Sequence, residues 1–148
     1  SQDTDKEPTL YIAQNKNARF NAPTSKIYNA ISGNLMLLKL GEPLPGLEGS
    51  PEPRTAIALD RANRHLIFVV VDGRQPGYSE GATLQEIAEI IAFHGGWTAM
   101  NMDGGGSSAM VVEGPLGADV LNSPINNRIP GRERVVGNHI GIYAKPLK

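Results

Sequence analysis

The chain has 148 residues, a length that suits one domain, with 40% hydrophobic residues, 20% charged residues and a formal net charge of -1. Proteins whose main partner is a nucleic acid usually carry a basic excess, so this charge argues against that class but leaves room for a local cationic cleft. The absence of cysteine excludes disulfides and thiolate metal sites. No apolar run has the length of a membrane-spanning helix.

The chain begins with a polar stretch and soon becomes rich in apolar segments. Residues 1–9 lack signal-peptide character and are predicted to be a disordered leader, with one domain over residues 10–148. A short apolar segment, Asn34–Leu40, precedes a loop over Gly41–Pro53. The prolines and glycines of that loop exclude regular structure, so the loop separates the apolar segment from a strand-rich region.

Two strands and a turn are predicted directly after this loop. Over Arg54–Asp60, larger side chains alternate with alanines, which is typical of a strand. The polar tetrad Arg61–Arg64 predicts a turn, and His65–Gly73 is a continuous apolar run that ends in a turn signal. The simple interpretation is a hairpin whose second strand is buried.

One helix is well marked. Thr83 is a candidate N-cap and Glu86 follows three residues later, which is the spacing of a capping box. Gly95 supplies a left-handed stop after His94. The apolar face at helical spacing consists of Leu84, Ile87, Ala88, Ile90 and Ile91.

Further strands are predicted near Trp97–Met102, near Ser108–Val112 and over His139–Ala144. Together with the hairpin and the helix, they predict the α+β (mixed α/β) class, with a mixed sheet and one clearly packed helix. The helix covers only part of the apolar surface that such a sheet exposes, so the domain is also expected to be part of a larger fold.

The most specific stretch for chemistry lies after the strand near Trp97, where an Asn and an Asp precede three glycines and two serines. Successive glycines let backbone N–H groups turn toward one concavity that holds an anionic oxygen, and the hydroxyls add donors. The spacing fits neither a Walker loop nor a dinucleotide fingerprint, and a plain hairpin turn stays open as the alternative. The residues concerned are Asn101, Asp103, Gly104, Gly105, Gly106, Ser107 and Ser108.

A second candidate loop begins just past the buried strand of the hairpin. Asp72 and Arg74 lie there, at the kind of strand end that often carries a functional site. The alternative is that Asp72 makes a local turn and Arg74 is solvated. Because the two loops flank the same helix, Asp72 and Asp103 are expected side by side on adjacent strands.

Arginines form the third element, since a guanidinium offers paired donors to a phosphate. Arg54 begins a strand, and Arg128, Arg132 and Arg134 cluster late in the chain. Arg54 and Arg134 each adjoin an apolar stretch that anchors them, so they are predicted to contact an anion, ahead of Arg132 in its turn-like context.

The metal-binding signal is weak. His65, His94 and His139 lack metal-ligand spacing, which argues against zinc. Asp72, Asp103 and Asn101 are hard oxygen ligands that would suit Ca²⁺ or Mg²⁺, but nothing in their spacing requires a metal, so no cofactor is predicted.

The order of these motifs resembles the phosphodiester glycosidase family. The resemblance rests on R-T-A-I, V-D-G-R, T-L-Q-E-I-A and A-M-N-M-D-G-G-G-S-S-A-M-V, followed by N-S-P and R-V-V-G-N-H, and it covers residues 30–144. The D-G-G-G-S-S block is its most specific part. The family pattern also has an earlier strand set that has no counterpart here before Ala30. Either the chain is a C-terminal portion, with the remainder cleaved or supplied by a second chain, or the family pattern is incomplete in this sequence.

The resemblance implies a hydrolase that cleaves a sugar from a sugar-1-phosphodiester; one activity of the family removes N-acetylglucosamine. It implies Asp103 and then Asp72 as catalytic carboxylates, and substrate binding by Arg54, Arg74, Arg134 and the block from Asn101 to Ser108. It also implies an extracytoplasmic location and a small-molecule or polysaccharide phosphodiester as partner. The alternative is a non-catalytic domain that binds anionic or phosphodiester-containing polysaccharide with the same residues.

Overall fold

The computed structural model describes residues 31–137 and 139–143. The leader at residues 1–9 and the segment up to Ala30 lie outside the described residues, so the predictions made for them stay predictions. Among the described helices, none is long and apolar enough to cross a membrane.

The centre of the fold is a five-stranded sheet. Its strands are β1 (Leu35–Lys39), β2 (Glu42–Pro43), β3 (Arg54–Asp60), β4 (Leu66–Val71) and β5 (Gly96–Asn101), in the spatial order β2-β1-β5-β3-β4. Each of these pairings is antiparallel. Two small hairpins come later in the chain: β6 (Val111–Gly114) with β7 (Gly117–Val120), and β8 (Ile125–Asn126) with β9 (Ile129–Pro130). In the described part of the chain, one α-helix lies beside the sheet, so the predicted α+β class is confirmed.

Helix α1 (Leu84–Phe93) starts as its sequence predicts. The Thr83 side chain accepts the Glu86 N–H at 3.1 Å, and the Glu86 carboxylate accepts the Thr83 N–H at 2.7 Å, so the capping box is complete. These bonds hold the pKa of Glu86 below its usual value, the backbone bond from Thr83 being the largest cause. Gly95 stops the helix with φ of +87°.

The capping box predicts a measurable contribution to stability. Thr83→Ala removes an N-cap acceptor and should lower the free energy of unfolding by about 1 kcal/mol, measured by urea denaturation. Thr83→Ser keeps the hydroxyl and should cost much less. Equal destabilisation by the two substitutions would show that packing of the Thr83 methyl group, and not the cap, is what matters.

The main core lies between α1 and one face of the sheet. Ile87, Ala88 and Ile91 are fully buried there against strand residues such as Leu37 and Ala99. Ile90, predicted on the apolar face, is 40% exposed. The small alanines of β3 and β5 let the helix approach the sheet closely, which explains the large–small alternation in the sequence.

The hairpin of β3 and β4 is confirmed, but the expectation that its second strand is buried is wrong. β4 pairs with β3 alone and forms an edge of the sheet, and none of its six residues is buried among the described residues. On the face away from α1, Phe68 is 37% exposed, whereas its cross-strand partner Ile57 is 4% exposed. The proposal that further chain covers this sheet stays a prediction.

Three other predictions need correction. The loop predicted over Gly41–Pro53 contains the short strand β2, which pairs with the end of β1. The strand expected near Ser108–Val112 begins only at Val111, because the Ser108 N–H is used in a tight turn, where it donates to the Gly105 carbonyl at 3.1 Å. The final strand expected over His139–Ala144 is wrong for residues 139–143, which are irregular. Tyr143 is 96% exposed there, since an apolar alternation makes a strand only where a neighbouring strand supplies hydrogen-bond partners.

Candidate active site

The glycine block forms one turn of 3-10 helix, Gly105–Ser107, at the end of β5. The predicted cradle, in which successive N–H groups are free to bind an anion, is not what the structure shows. The N–H groups of Gly105, Ser107 and Ser108 donate to the carbonyls of Pro53, Gly104 and Gly105, at 2.9, 3.2 and 3.1 Å. The block is therefore a rigid turn, which differs from both the open anion nest and the hairpin turn that the sequence suggested.

The glycines allow three other segments to converge on this turn. A Cβ on Gly104 would lie 2.7 Å from the Pro53 carbonyl oxygen, and one on Gly105 would lie 3.1 Å from Arg74 Nη1. Gly105 also has φ of +61°, which favours glycine. A Cβ on Gly106 would lie 3.2 Å from the Arg134 side chain. Close approach, rather than flexibility, accounts for three glycines in a row.

Asp103, Ser107 and Arg134 form the central cluster of the site. Ser107 Oγ donates to Asp103 Oδ2 at 2.8 Å, and Arg134 Nη2 donates to the same oxygen at 2.9 Å. Arg134 Nε and Nη2 also donate to Ser107 Oγ, at 3.0 and 2.6 Å. The backbone N–H of Arg134 donates to the Gly106 carbonyl at 3.1 Å. Both the main chain and the side chain of Arg134 are therefore hydrogen-bonded to the glycine turn.

This cluster keeps a carboxylate ionised at the surface. The hydrogen bond from Ser107 is the largest cause that holds the pKa of Asp103 below its usual value; partial burial opposes it, and the charge of Arg134 adds to it. The Asp103 side chain is 75% exposed and that of Arg134 is 43% exposed. An accessible, anionic Asp103 is a group that can accept a proton, attack an electrophilic carbon or stabilise a cation.

Asp72 and Asp103 do not lie side by side, because β3 separates β4 from β5. The expectation of adjacent strands is therefore wrong. β4 and β5 stop at the same end of the sheet, with the start of β3 between them. Two strand spacings correspond to about 10 Å between backbones. The two carboxylates therefore lie at the same end of the sheet but are separated by the width of β3.

The Asp72 carboxylate is held by three neighbouring residues. It accepts the Ser123 N–H at 2.9 and 3.1 Å, the Asn122 side-chain amide at 2.8 Å and the Tyr78 hydroxyl at 3.0 Å. The bond from Tyr78 raises the pKa of the Tyr78 hydroxyl, because ionisation would bring two negative charges together. The signal for this anchor is the N-S-P motif, whose role the sequence alone leaves unassigned.

A second pair of bonds ties the same segments together. Gln75, which is buried, donates to the Ser123 carbonyl at 2.8 Å and accepts the Ser123 hydroxyl at 2.9 Å. The Asn122 side chain also bridges Met110 and Ser108, through the Met110 N–H at 2.8 Å and the Ser108 carbonyl at 2.9 Å. This network fixes the loop after β4 to the chain that leads into the β8–β9 hairpin.

The arginines separate into two places. Arg54 donates from Nε to the Ala82 carbonyl and from Nη2 to the Ser50 carbonyl, both at 2.9 Å, so it ties two loops together. Arg74 forms an ion pair with Glu52, and its guanidinium lies against Gly105. Arg74 and Arg134 line one cleft of about 960 Å³, and Arg54 is not among its lining residues.

Two further predicted residues lie beneath the surface. Asn101 is 2% exposed and donates to Asn34 Oδ1 at 2.8 Å and to the Met102 carbonyl at 3.0 Å, which joins the ends of β1 and β5. Ser108 is 1% exposed and accepts the Thr55 hydroxyl at 3.3 Å. Of the predicted set, the structure brings Asp103, the glycines, Ser107, Arg74 and Arg134 together around the turn.

The predicted oxygen ligands Asp72, Asp103 and Asn101 are not gathered at one point, since Asp72 is anchored two strands away and Asn101 is buried. Among the described residues, no group of three or more His, Cys, Asp or Glu side chains is placed to hold a metal ion.

The glycine turn, the Asp103 carboxylate and the guanidinium groups of Arg74 and Arg134 thus lie together at the end of β5. The model of the family described as phosphodiester glycosidase matches residues 3–143, so the chain belongs to the phosphodiester glycosidase family. Among curated proteins, no sequence matches this chain.

The solved structures that are similar to the chain include the following two. One is the catalytic domain of zebrafish N-acetylglucosamine-1-phosphodiester alpha-N-acetylglucosaminidase, auto-inhibited by its pro-peptide, with 26% identity and a TM-score of 0.54; the match covers 64% of this chain and 34% of that chain. The other is a hypothetical protein from Synechocystis, with 29% identity and a TM-score of 0.41, covering 51% of this chain and 15% of that one. The chain thus spans about a third of the zebrafish structure.

Proposed function

We propose that this chain carries the carboxylate and the phosphate-binding side of an active site that hydrolyses sugar-1-phosphodiesters. The observation that carries the proposal is the Asp103–Ser107–Arg134 cluster at the glycine turn. Arg134 also lines the cleft beside this turn, whereas Asp103 and Ser107 are not among the lining residues. The family supports this reaction class, and the zebrafish relative, by its name, acts on an N-acetylglucosamine-1-phosphodiester. N-acetylglucosamine is therefore the first sugar to test, and an extracytoplasmic location belongs to the same proposal.

In the proposed reaction, the bond between the sugar C1 and the phosphate oxygen breaks. The bonding electrons leave with the phosphate, which becomes a phosphomonoester. The oxygen of a water molecule forms the new bond to C1, and that water loses one proton. Because a phosphate is a stable anion, it departs with little help from a proton donor. The ionised Asp103 then serves as nucleophile, base or stabiliser of the oxocarbenium-like transition state.

Arg134 supplies a further hydrogen-bond donor. Arg134 uses Nε and Nη2 for Ser107, Asp103 and Gly104, and its Nη1 group has no partner among the residues that the structure describes. That group can donate to a phosphate oxygen while Nη2 still holds Asp103. Donors fixed before the substrate arrives stabilise developing charge without reorganisation.

Asp72 fits a positioning role better than a catalytic one. Its oxygens already accept bonds from Ser123, Asn122 and Tyr78, and these bonds hold the loop that carries Arg74. The catalytic assignment therefore rests first on Asp103.

The test of the function is hydrolysis of N-acetyl-α-glucosamine 1-(methyl phosphate) in water labelled with ¹⁸O. The proposal expects free N-acetylglucosamine that carries the label, together with unlabelled methyl phosphate. Label in the phosphate would indicate a phosphodiesterase instead. Binding of the diester without turnover would favour the non-catalytic binding domain.

The cause of the low Asp103 pKa predicts a pH effect. Ser107→Ala removes the largest stabilising contact of the carboxylate, so the pKa of Asp103 should rise toward its ordinary value. Activity that needs the anionic form is lost as the pH falls through this pKa. The acidic limb of the kcat/KM profile should therefore move to higher pH.

The profile is measured from acidic to neutral pH, with the exposed Ser50→Ala variant as control. An acidic limb that stays in place in Ser107→Ala, while the overall rate falls, would show that a group other than Asp103 controls it.

A further inference from the structure

The β8–β9 hairpin forms a wall of the cleft, and its connecting turn carries Arg128, one of the three arginines that cluster late in the sequence. Ile125 is 4% exposed and anchors the hairpin in the interior. A Cβ on Gly106 would lie 3.2 Å from both Asn126 Oδ1 and the Ile125 carbonyl oxygen, so the hairpin rests directly on the glycine turn. The two residues of its connecting turn are therefore held at a fixed place above the site.

The turn itself carries an unusual residue. Asn127 and Arg128 have φ values of +53° and +61°, the left-handed pair of a two-residue hairpin turn. Asparagine tolerates this conformation, but the second position normally favours glycine, and a side chain there costs on the order of 1 kcal/mol. Strain of this kind is often found at functional positions. It therefore favours a functional role for the guanidinium of Arg128.

The pattern of charges in the cleft also indicates Arg128 as the residue that binds an anion. Arg74, Arg128 and Arg134 all line it. Arg74 is paired with Glu52, and Arg134 with Asp103, so these two pairs are electrically neutral. Among residues 31–137 and 139–143, no carboxylate lies within 4.0 Å of the charged group of Arg128. Within the part of the chain that the structure describes, Arg128 is thus the cation of this wall that has no paired carboxylate.

We propose that Arg128 binds the singly charged phosphate of a phosphodiester, and that it makes the cleft selective for phosphodiesters over neutral glycosides. This inference rests on the proposed function for the identity of the substrate, but not for the existence of the anion site. Arg134 cannot fill the role alone, since its charge is balanced by the carboxylate that must stay ionised. Arg128 supplies the net positive charge that a monoanion requires, and the exposed Tyr78 of the same cleft faces the organic part of the ligand.

The test uses dimethyl phosphate, a monoanionic diester, and trimethyl phosphate, which is uncharged. Each is titrated into the chain while the amide resonances of Gly105 and Gly106 and the side-chain resonance of Arg128 are followed by NMR. Arg128→Gly is the informative variant, because glycine favours a φ of +61° and the hairpin keeps its turn. Arg132→Gln removes a neighbouring exposed arginine that does not line the cleft and serves as the matched control.

We expect dimethyl phosphate to shift these resonances, and its dissociation constant to rise about 10-fold or more in Arg128→Gly, because a hydrogen bond to a charged group contributes about 1.5–3 kcal/mol. Arg132→Gln should bind like the unchanged chain, and trimethyl phosphate should bind much more weakly. Equal affinity in Arg128→Gly, equal binding of the two ligands or no binding at all would each overturn the proposal.

This readout separates the inference from the proposed function. Binding that depends on Arg128, in a chain that hydrolyses no diester, would support the anion site and remove the catalytic role. Hydrolysis whose KM for the diester is unchanged in Arg128→Gly would support catalysis and overturn the role of Arg128.

Discussion

Asp103→Asn should abolish turnover of the phosphodiester and leave the fold intact. The substitution keeps the shape of the side chain but removes the negative charge that a nucleophile, base or cation stabiliser needs. We expect kcat to fall by about 10³-fold or more, the scale seen when an essential catalytic group is lost. The fold should persist, because the Asp103–Arg134 ion pair is exposed, and such pairs contribute only about 0–1 kcal/mol.

The measurement combines kcat for the diester with thermal unfolding of the same preparation. Asp119→Asn is the matched control, since Asp119 is an exposed carboxylate on the β6–β7 hairpin and lies outside the Asp103–Ser107–Arg134 cluster. It should leave both values near those of the unchanged chain. Near-normal turnover in Asp103→Asn would show that Asp103 is not catalytic, and Asp72 would become the next carboxylate to test.

The elements that the sequence predicts well are those fixed by local contacts. The capping box at Thr83 and Glu86 closes over one turn of helix, so the start of α1 is visible in four consecutive residues. The alternation in β3 likewise reports its two faces directly. By contrast, the position of β4 at an edge of the sheet depends on pairing between strands that are distant in sequence. An apolar run is compatible with both a central strand and an edge strand, so it does not determine this position.

The candidate site shows the same division. The D-G-G-G-S-S block identifies Asp103 and Ser107 because carboxylate, turn and hydroxyl are close in sequence, and their bond spans only four residues. Arg54 is harder to interpret, since its partners are two backbone carbonyls that no sequence pattern reveals. The anchoring of Asp72 joins residues about 50 positions apart, and the place of Arg128 depends on how its hairpin docks on Gly106.

Arg134→Lys and Arg54→Lys should therefore have different effects, although the sequence predicts a phosphate contact for both. Lysine keeps the charge of Arg134 but cannot hold Asp103 and Ser107 while also donating to a phosphate. We expect kcat/KM for the diester to fall about 10–100-fold, as for the loss of one or two hydrogen bonds to a charged group. An uncharged aryl glycoside of the same sugar, where it is accepted, should lose much less.

Arg54→Lys should act mainly on stability. Its guanidinium joins the Ser50 and Ala82 carbonyls with two fixed donors, and a lysine can satisfy only one of these positions well, so the free energy of unfolding should fall by about 1–2 kcal/mol. Whatever activity is lost should be lost equally for the charged and the uncharged substrate. The comparison therefore measures the ratio of kcat/KM for the two substrates together with urea denaturation of each variant. A fall in that ratio for Arg54→Lys at unchanged stability would place Arg54 on the phosphate after all, because only a residue that touches the charge can distinguish the two substrates.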